Sequence, residues 1–276
     1  MTAEPAPRTE PAEDTPSRRI YPVPAAEKVL DILEFMAGQA DGLTPTEIAT
    51  AMGRTVHEIY RVILVLEARG YLFQRSASDG YRLSLKLFDL AHRLPSVRRL
   101  SDSALNVMQA LTPRTLQSCH LSILSGHELL IVLQVDSPLP MRYSVMLGAK
   151  FDFAETSAGA VLFAYSPDPV KRQLLAWLDG EERPAEEIRQ LTDRAARILA
   201  DGYELRESLA VAGVTNIAAP VFDHVGNVVA AITVPYVPQR AATVSMDRVR
   251  DLALEAARAI SANLGAMTDR RGPDHG

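Results

Sequence analysis

The segment Arg54-Thr-Val-His-Glu-Ile-Tyr-Arg61 gathers side chains well equipped to meet a nucleic acid. A guanidinium such as that of Arg61 clamps a phosphate or the edge of guanine, and a carboxylate such as that of Glu58 accepts from cytosine N4. His57 and Tyr60 fall at neighbouring positions on the same helical face. Each also has a plain explanation. Arg61 could pair with a surface carboxylate, and Glu58 could serve as the third residue of a capping box. Arg54, Gln74, Arg75 and Arg82 are placed for backbone contacts, which position a duplex without reading it. Thr44 and Thr46 complete the candidate DNA-binding set.

A second group suits a small molecule. The run Ala154-Glu-Thr-Ser-Ala-Gly159 opens a helix with small residues. The unpaired amides of its first turn, beside Thr156, Ser157 and Ala158, fit a carboxylate or another polar end of a ligand. Close helix–sheet packing accounts for the same residues. Asn216, entering an apolar strand, is either a ligand hydrogen-bonder or a turn residue, and Met141, Tyr143, Leu147, Phe163 and Ile232 line an apolar pocket or fill a core.

Catalytic chemistry finds little support. Ser157 lacks the first glycine of a nucleophile elbow, and His120, His127 and His224 are at no metal-ligand spacing. Cys119 and His120 are strand neighbours, so they point to opposite faces. No enzyme, cofactor or metal is expected.

Two consecutive start signals position the first group. Thr44-Pro-Thr-Glu47 has the form of a capping box with proline at the first helical position, and Thr55-Val-His-Glu58 repeats it without the proline. Gly53 suits the left-handed corner between them. Ile59, Val62, Ile63 and Leu66 recur at helical spacing, leaving His57, Glu58, Tyr60 and Arg61 off the buried stripe. A first helix over residues 25–40 precedes this helix-turn-helix. A hairpin about Asp79-Gly80 follows it where a winged helix keeps its wing.

Farther on, a helical stripe through Leu83, Leu87, Leu90 and Leu94 predicts a connector, with a boundary at Ser96 to Ser101. Beyond it the patterns predict a helix over 102–117 bent or broken at Pro113, and hairpins about Ser125-Gly-His127 and Asp223-His-Val-Gly226. They also predict a strand over Met141–Leu147 and helices over 154–165, from Ser166-Pro167 towards Trp177, over 184–200, and from a Ser245 cap to Leu264. Hairpins among helices indicate an α+β sheet with antiparallel pairs.

At 276 residues the chain is long enough for two domains. Its net charge of −5 argues mildly against DNA and points to modest, salt-sensitive affinity carried by locally arranged arginines. The single cysteine excludes an internal disulfide framework and a Cys-rich zinc site, which suits a reducing cytoplasm. No apolar run reaches membrane-spanning length. The Pro- and Glu-rich start reads as a disordered tail without the apolar core of a signal peptide.

The chain resembles the IclR family of bacterial transcription regulators from about Pro24 to Leu264. The resemblance is carried by Lys28-Val-Leu-Asp-Ile-Leu-Glu, Gly42-Leu-Thr-Pro-Thr-Glu-Ile-Ala, Leu66-Glu-Ala-Arg-Gly-Tyr-Leu, Tyr81-Arg-Leu-Ser-Leu-Lys-Leu, Thr156-Ser-Ala-Gly, Gly202-Tyr, Gly213-Val-Thr-Asn-Ile-Ala-Ala-Pro-Val-Phe-Asp and Gly226-Asn-Val-Val-Ala-Ala-Ile-Thr-Val. It implies a disordered tail (1–20), a winged helix-turn-helix DNA-binding domain (21–84), a connector helix (85–100), a GAF-like effector-binding domain (101–266) and a second tail (267–276). The implied partners are double-stranded DNA carrying a pseudo-palindromic operator, a small organic effector (a carboxylate or an aromatic), and further copies of the chain in a dimer or tetramer. The rival reading is a metabolite-binding module or enzyme that uses its N-terminal domain for dimerisation. The sequence departs from the family pattern at Thr55-Val-His-Glu58, at Ala160 and at Asn216.

Overall fold

The computed structural model describes residues 23–74, 76, 79–92, 95–240 and 243–266. Both expected tails, and Arg75 of the wing, lie outside the described residues. The chain divides into two compact units, residues 1–93 and 94–276.

The first unit contains α1 (Pro24–Ala37), α2 (Pro45–Ala51), α3 (Val56–Ala68), the two-stranded ladder of β1 (Leu72–Phe73) with β2 (Arg82–Leu83), and α4 (Lys86–His92). Its core joins Ile32 and Met36 of α1, Ile48 and Ala49 of α2, and Ile59, Ile63 and Leu66 of α3 to Leu72 and Tyr81 of the hairpin. Gly53, at φ 63°, makes the left-handed turn from α2 into the approach to α3. The hairpin is tied back to the start of α2 by paired backbone bonds, Leu43 N to Tyr81 O (3.0 Å) and Tyr81 N to Leu43 O (2.8 Å).

The second unit is built on a six-stranded sheet in the order β5-β4-β3-β8-β7-β6, every neighbouring pair antiparallel. Its elements run α5 (Pro95–Thr115), β3 (Cys119–Ser125), β4 (Glu128–Val135), β5 (Lys150–Asp152), α6 (Ser157–Tyr165), α7 (Asp168–Gly180), α8 (Ala185–Asp201), β6 (Glu204–Glu207), β7 (Thr215–Phe222), β8 (Val228–Tyr236) and α9 (Met246–Asn263). Strand parity divides the side chains between two layers. Cys119, Leu121, Ile217, Ala219, Ile232 and Val234 pack with α5 and α9. Ala218 and Ala231, one residue out of phase, pack with α6, α7 and α8.

Three expectations are corrected. Residues 96–101 are not a boundary but part of α5, because Leu100, Ala104, Met108 and Leu111 form one buried stripe that carries the helix through them. Pro113 lies inside that helix, which ends at Thr115. Met141–Leu147 is a loop: the strand beside β4 is β5 (Leu129 opposite Phe151), and this run joins no ladder among the described residues. The edge strand β6, reading Glu-Leu-Arg-Glu, carries no apolar alternation and was not foreseen.

The start of α6 is fitted closely to the turn before it. A Cβ at Gly159 would stand 2.0 Å from the carbonyl oxygen of Phe153. Gly159→Ala is therefore expected to destabilise the second unit by about 1–3 kcal/mol, although alanine ordinarily improves a helix interior. Urea unfolding of the two proteins measures this, and an unchanged or raised midpoint would contradict the packing.

Candidate DNA-reading surface and ligand pocket

The α2 cap is reciprocal. The Thr44 amide donates to the Glu47 carboxylate (2.8 Å), and the Glu47 amide donates to the Thr44 hydroxyl (3.3 Å). At α3 the Glu58 carboxylate accepts from both the amide (2.9 Å) and the hydroxyl (2.8 Å) of Thr55. These bonds hold both carboxyls below the usual range. The Glu58 carboxylate thus has an intramolecular role, with Lys28 3.9 Å away.

Other candidates in this unit divide in the same manner. Arg54 forms an ion pair with Asp31 of α1 at 2.7 Å. Arg82 donates to the Ala40 carbonyl (2.9 Å) and lies 3.7 Å from Asp41. Gln74 reaches Glu67 at 3.4 Å. Thr46 is exposed, its carbonyl accepting from the Thr50 hydroxyl at 2.9 Å. His57, Tyr60 and Arg61 project from the exposed side of α3 and, among the described residues, form no hydrogen bond or ion pair. Their freedom follows from burial of the opposite stripe.

In the second unit a cavity of about 80 Å³ lies on the sheet face that carries α6. Of the nine residues proposed from sequence, Tyr143, Thr156, Ser157, Ala158 and Asn216 line it. The other four are elsewhere. Ile232 faces the α5 and α9 layer, since only its neighbour Thr233 has the parity to reach the cavity. Phe163 is buried in the core behind α6, its ring 6.4 Å from that of Phe153. Met141 and Leu147 are 77% and 62% exposed on the loop that replaces the expected strand.

Sequence reasoning missed the cavity's polar floor. His120 and Thr233 are opposite one another in the β3–β8 register, 8% and 3% exposed. The Nδ1 atom of His120 and the Oγ1 atom of Thr233 are buried without a hydrogen-bond partner among the described residues. Burial lowers the His120 pKa to about 4, so the ring is neutral near pH 7. Cys119 faces the opposite layer, its thiol pushed up to about 12 by burial. Ser157 and His120 share the cavity, but no hydrogen bond joins them. The signal for this floor was available: two polar residues at the inward phase of otherwise apolar strands.

Arg194 braces the cavity's rim. Buried in α8, it makes two bonds to Glu204 of β6 (2.7 and 2.9 Å) and donates to the carbonyls of Ala154 (2.7 Å) and Thr156 (2.9 Å). Thr156 caps α6 by accepting from the Gly159 amide at 3.1 Å. The Ser157 and Ala158 amides, at the cavity wall, form no bond among the described residues.

Two family models match the chain. Residues 25–76 match the IclR helix-turn-helix domain, and residues 93–262 match the bacterial transcriptional regulator IclR C-terminal domain. The chain belongs to the IclR family. It is 26% identical over 249 residues to the HTH-type transcriptional regulator XynR of Escherichia coli, covering 88% of this chain and 98% of XynR. The HTH-type transcriptional regulator BhcR of Paracoccus denitrificans is 29% identical over 256 residues, covering 89% and 88% respectively. The IclR fold is shared with Thermotoga maritima IclR (TM-score 0.67, 24% identity, 87% of this chain and 98% of that one). It is shared equally with an IclR homolog from Microbacterium hydrocarbonoxydans complexed with 4-hydroxybenzoate (TM-score 0.71, 21% identity, the same coverage). No described helix is long and apolar enough to cross a membrane.

Two outcomes follow from the buried groups. Removing Arg194 strands a buried carboxylate, so Arg194→Leu is expected to cost about 3–5 kcal/mol, with much of the loss recovered in the Arg194→Leu, Glu204→Leu pair by denaturant titration. For His120 the folded pKa is depressed, so the unfolded chain binds the extra proton first as pH falls. Its contribution is present above about 6.5 and disappears towards about 4, a loss of up to about 3 kcal/mol. Stability measured across that range should flatten in His120→Leu; an identical pH dependence in both proteins would contradict a buried neutral ring.

Proposed function

We propose that this protein is a cytoplasmic, ligand-responsive DNA-binding transcriptional regulator, acting through α3 of its first unit and the cavity of its second. The observation that carries the DNA half is the exposed, unpaired trio His57, Tyr60 and Arg61 on a helix whose other side is sealed by Ile59, Ile63 and Leu66. Arg61 meets phosphate or guanine, His57 and Tyr60 meet base edges or sugar, and Thr46 stands at the approach. Arg54, Arg82 and Glu58 support these residues from behind through their contacts with Asp31, Ala40 and Thr55. Two copies of the chain read the two halves of a pseudo-palindrome. Leu30 on α1, 56% exposed, and Leu85 before α4, 80% exposed, support pairing through those segments. The GAF-like second unit binds a small organic effector without catalysing its conversion, and the effector acts by preferring one arrangement of the paired chains.

Arg61→Ala is expected to weaken binding severalfold or more. If Arg61 contacts phosphate, the substitution also lowers the slope of log affinity against log salt by about 1. Fluorescence anisotropy on a duplex enriched from a random pool, repeated over a salt series, measures both. Equal affinity for wild type and variant would remove Arg61 from the surface.

A further inference from the structure

We propose that Val56 makes thymine a fixed base of each half-site, its two methyls packing on the thymine 5-methyl group in the major groove. The inference rests on reading α3 as the DNA-binding helix and names one base that this helix selects.

The start of α3 holds little that could grip a phosphate. Thr55, Val56, His57 and Glu58 include neither lysine nor arginine. The arginine just before them, Arg54, is held by Asp31 at 2.7 Å. The Glu58 carboxylate repels a phosphate, and it already accepts from the Thr55 amide and hydroxyl. What this turn offers a duplex is therefore His57 and Val56, both exposed. In a reading helix the N-terminal residues are the ones that reach base edges.

The chemistry of Val56 leaves one target there. Its side chain has no donor and no acceptor, so phosphate, sugar and the hydrogen-bonding edges of the bases give it nothing to hold. In the major groove guanine, cytosine and adenine present donors and acceptors, and thymine alone adds a methyl. Nor is Val56 used by the fold: it is 37% exposed and stands outside the core cluster that takes Ile59, Ile63 and Leu66. Tyr60, four residues on and 46% exposed, continues the same side of the helix. Val56 and Tyr60 thus form an apolar edge beside the polar pair His57 and Arg61, which are also four apart.

The test is a cycle between protein and DNA, made with the full chain and the duplex enriched from a random pool. Each thymine of a half-site is replaced in turn by uracil, which keeps every donor and acceptor and lacks only the methyl. Fluorescence anisotropy reads the affinity. For wild type, uracil at one position is expected to weaken binding about three- to fourfold, the worth of one buried methyl. Val56→Ala should weaken binding to the thymine duplex by a similar factor and show almost none of the uracil effect at that position. Alanine favours a helix more than valine does, so this variant keeps α3. Val56→Thr, which retains one methyl on the same branched frame, should keep part of the effect. Wild type that tolerates uracil at every position overturns the assignment and leaves α3 as the reading helix intact. So does a uracil effect that survives Val56→Ala, or one that Tyr60→Ala abolishes in its place. If wild type retains no duplex from the pool, the regulator reading fails and this proposal fails with it.

Discussion

A helix or strand packed on one side has only its other side left to offer, and that constraint places both candidate sites of this protein. In α3, Ile59, Ile63 and Leu66 are drawn into the core with Ile32, Met36 and Ile48. The helical repeat then puts His57, Tyr60 and Arg61 in solvent. In β3 and β8 the repeat is two instead of 3.6. Cys119, Leu121 and Ile232 are committed to the α5 and α9 layer, so His120 and Thr233 must face α6. A slip of one residue in β8 would bury Thr233 among aliphatic side chains and turn Ile232 into the cavity.

Polar contacts within each unit hold these faces in position. Glu58, Arg54, Arg82 and Gln74 have partners within their own unit. They set the pose of α3 and the hairpin. In the second unit, Arg194 holds the turn before α6 by its carbonyls, leaving the amides on the cavity side unpaired.

The helix-turn-helix was legible because its signals are local: two Thr-x-x-Glu caps, a glycine corner, and one apolar stripe. The α+β character of the second unit was legible from its hairpins. Less of its cavity was visible. Asn216 and the Thr156–Ala158 turn could be found because they interrupt apolar runs with polar or small residues. Ile232 has the apolar character of a pocket residue, but that character alone does not reveal which strand phase faces which layer; the flanking helices decide that. The Arg194–Glu204 pair joins α8 to β6 through tertiary contact, and β6 itself carries too little alternation to be recognised. Met141–Leu147 has an apolar pattern but lies outside the sheet, where β5 takes the place beside β4, and an apolar pattern alone does not say which segment does so.

Oxidative side-chain footprinting, with and without a duplex enriched from a random pool, tests the exposed face of α3 most directly. His57 and Tyr60 are both oxidisable and exposed, whereas Tyr81 is buried with its hydroxyl bonded to Glu67 at 3.2 Å. The account predicts that duplex protects His57 and Tyr60 strongly and leaves Tyr81 unchanged. Oxidation of His57 and Tyr60 at the same rate in the bound and free protein would contradict it.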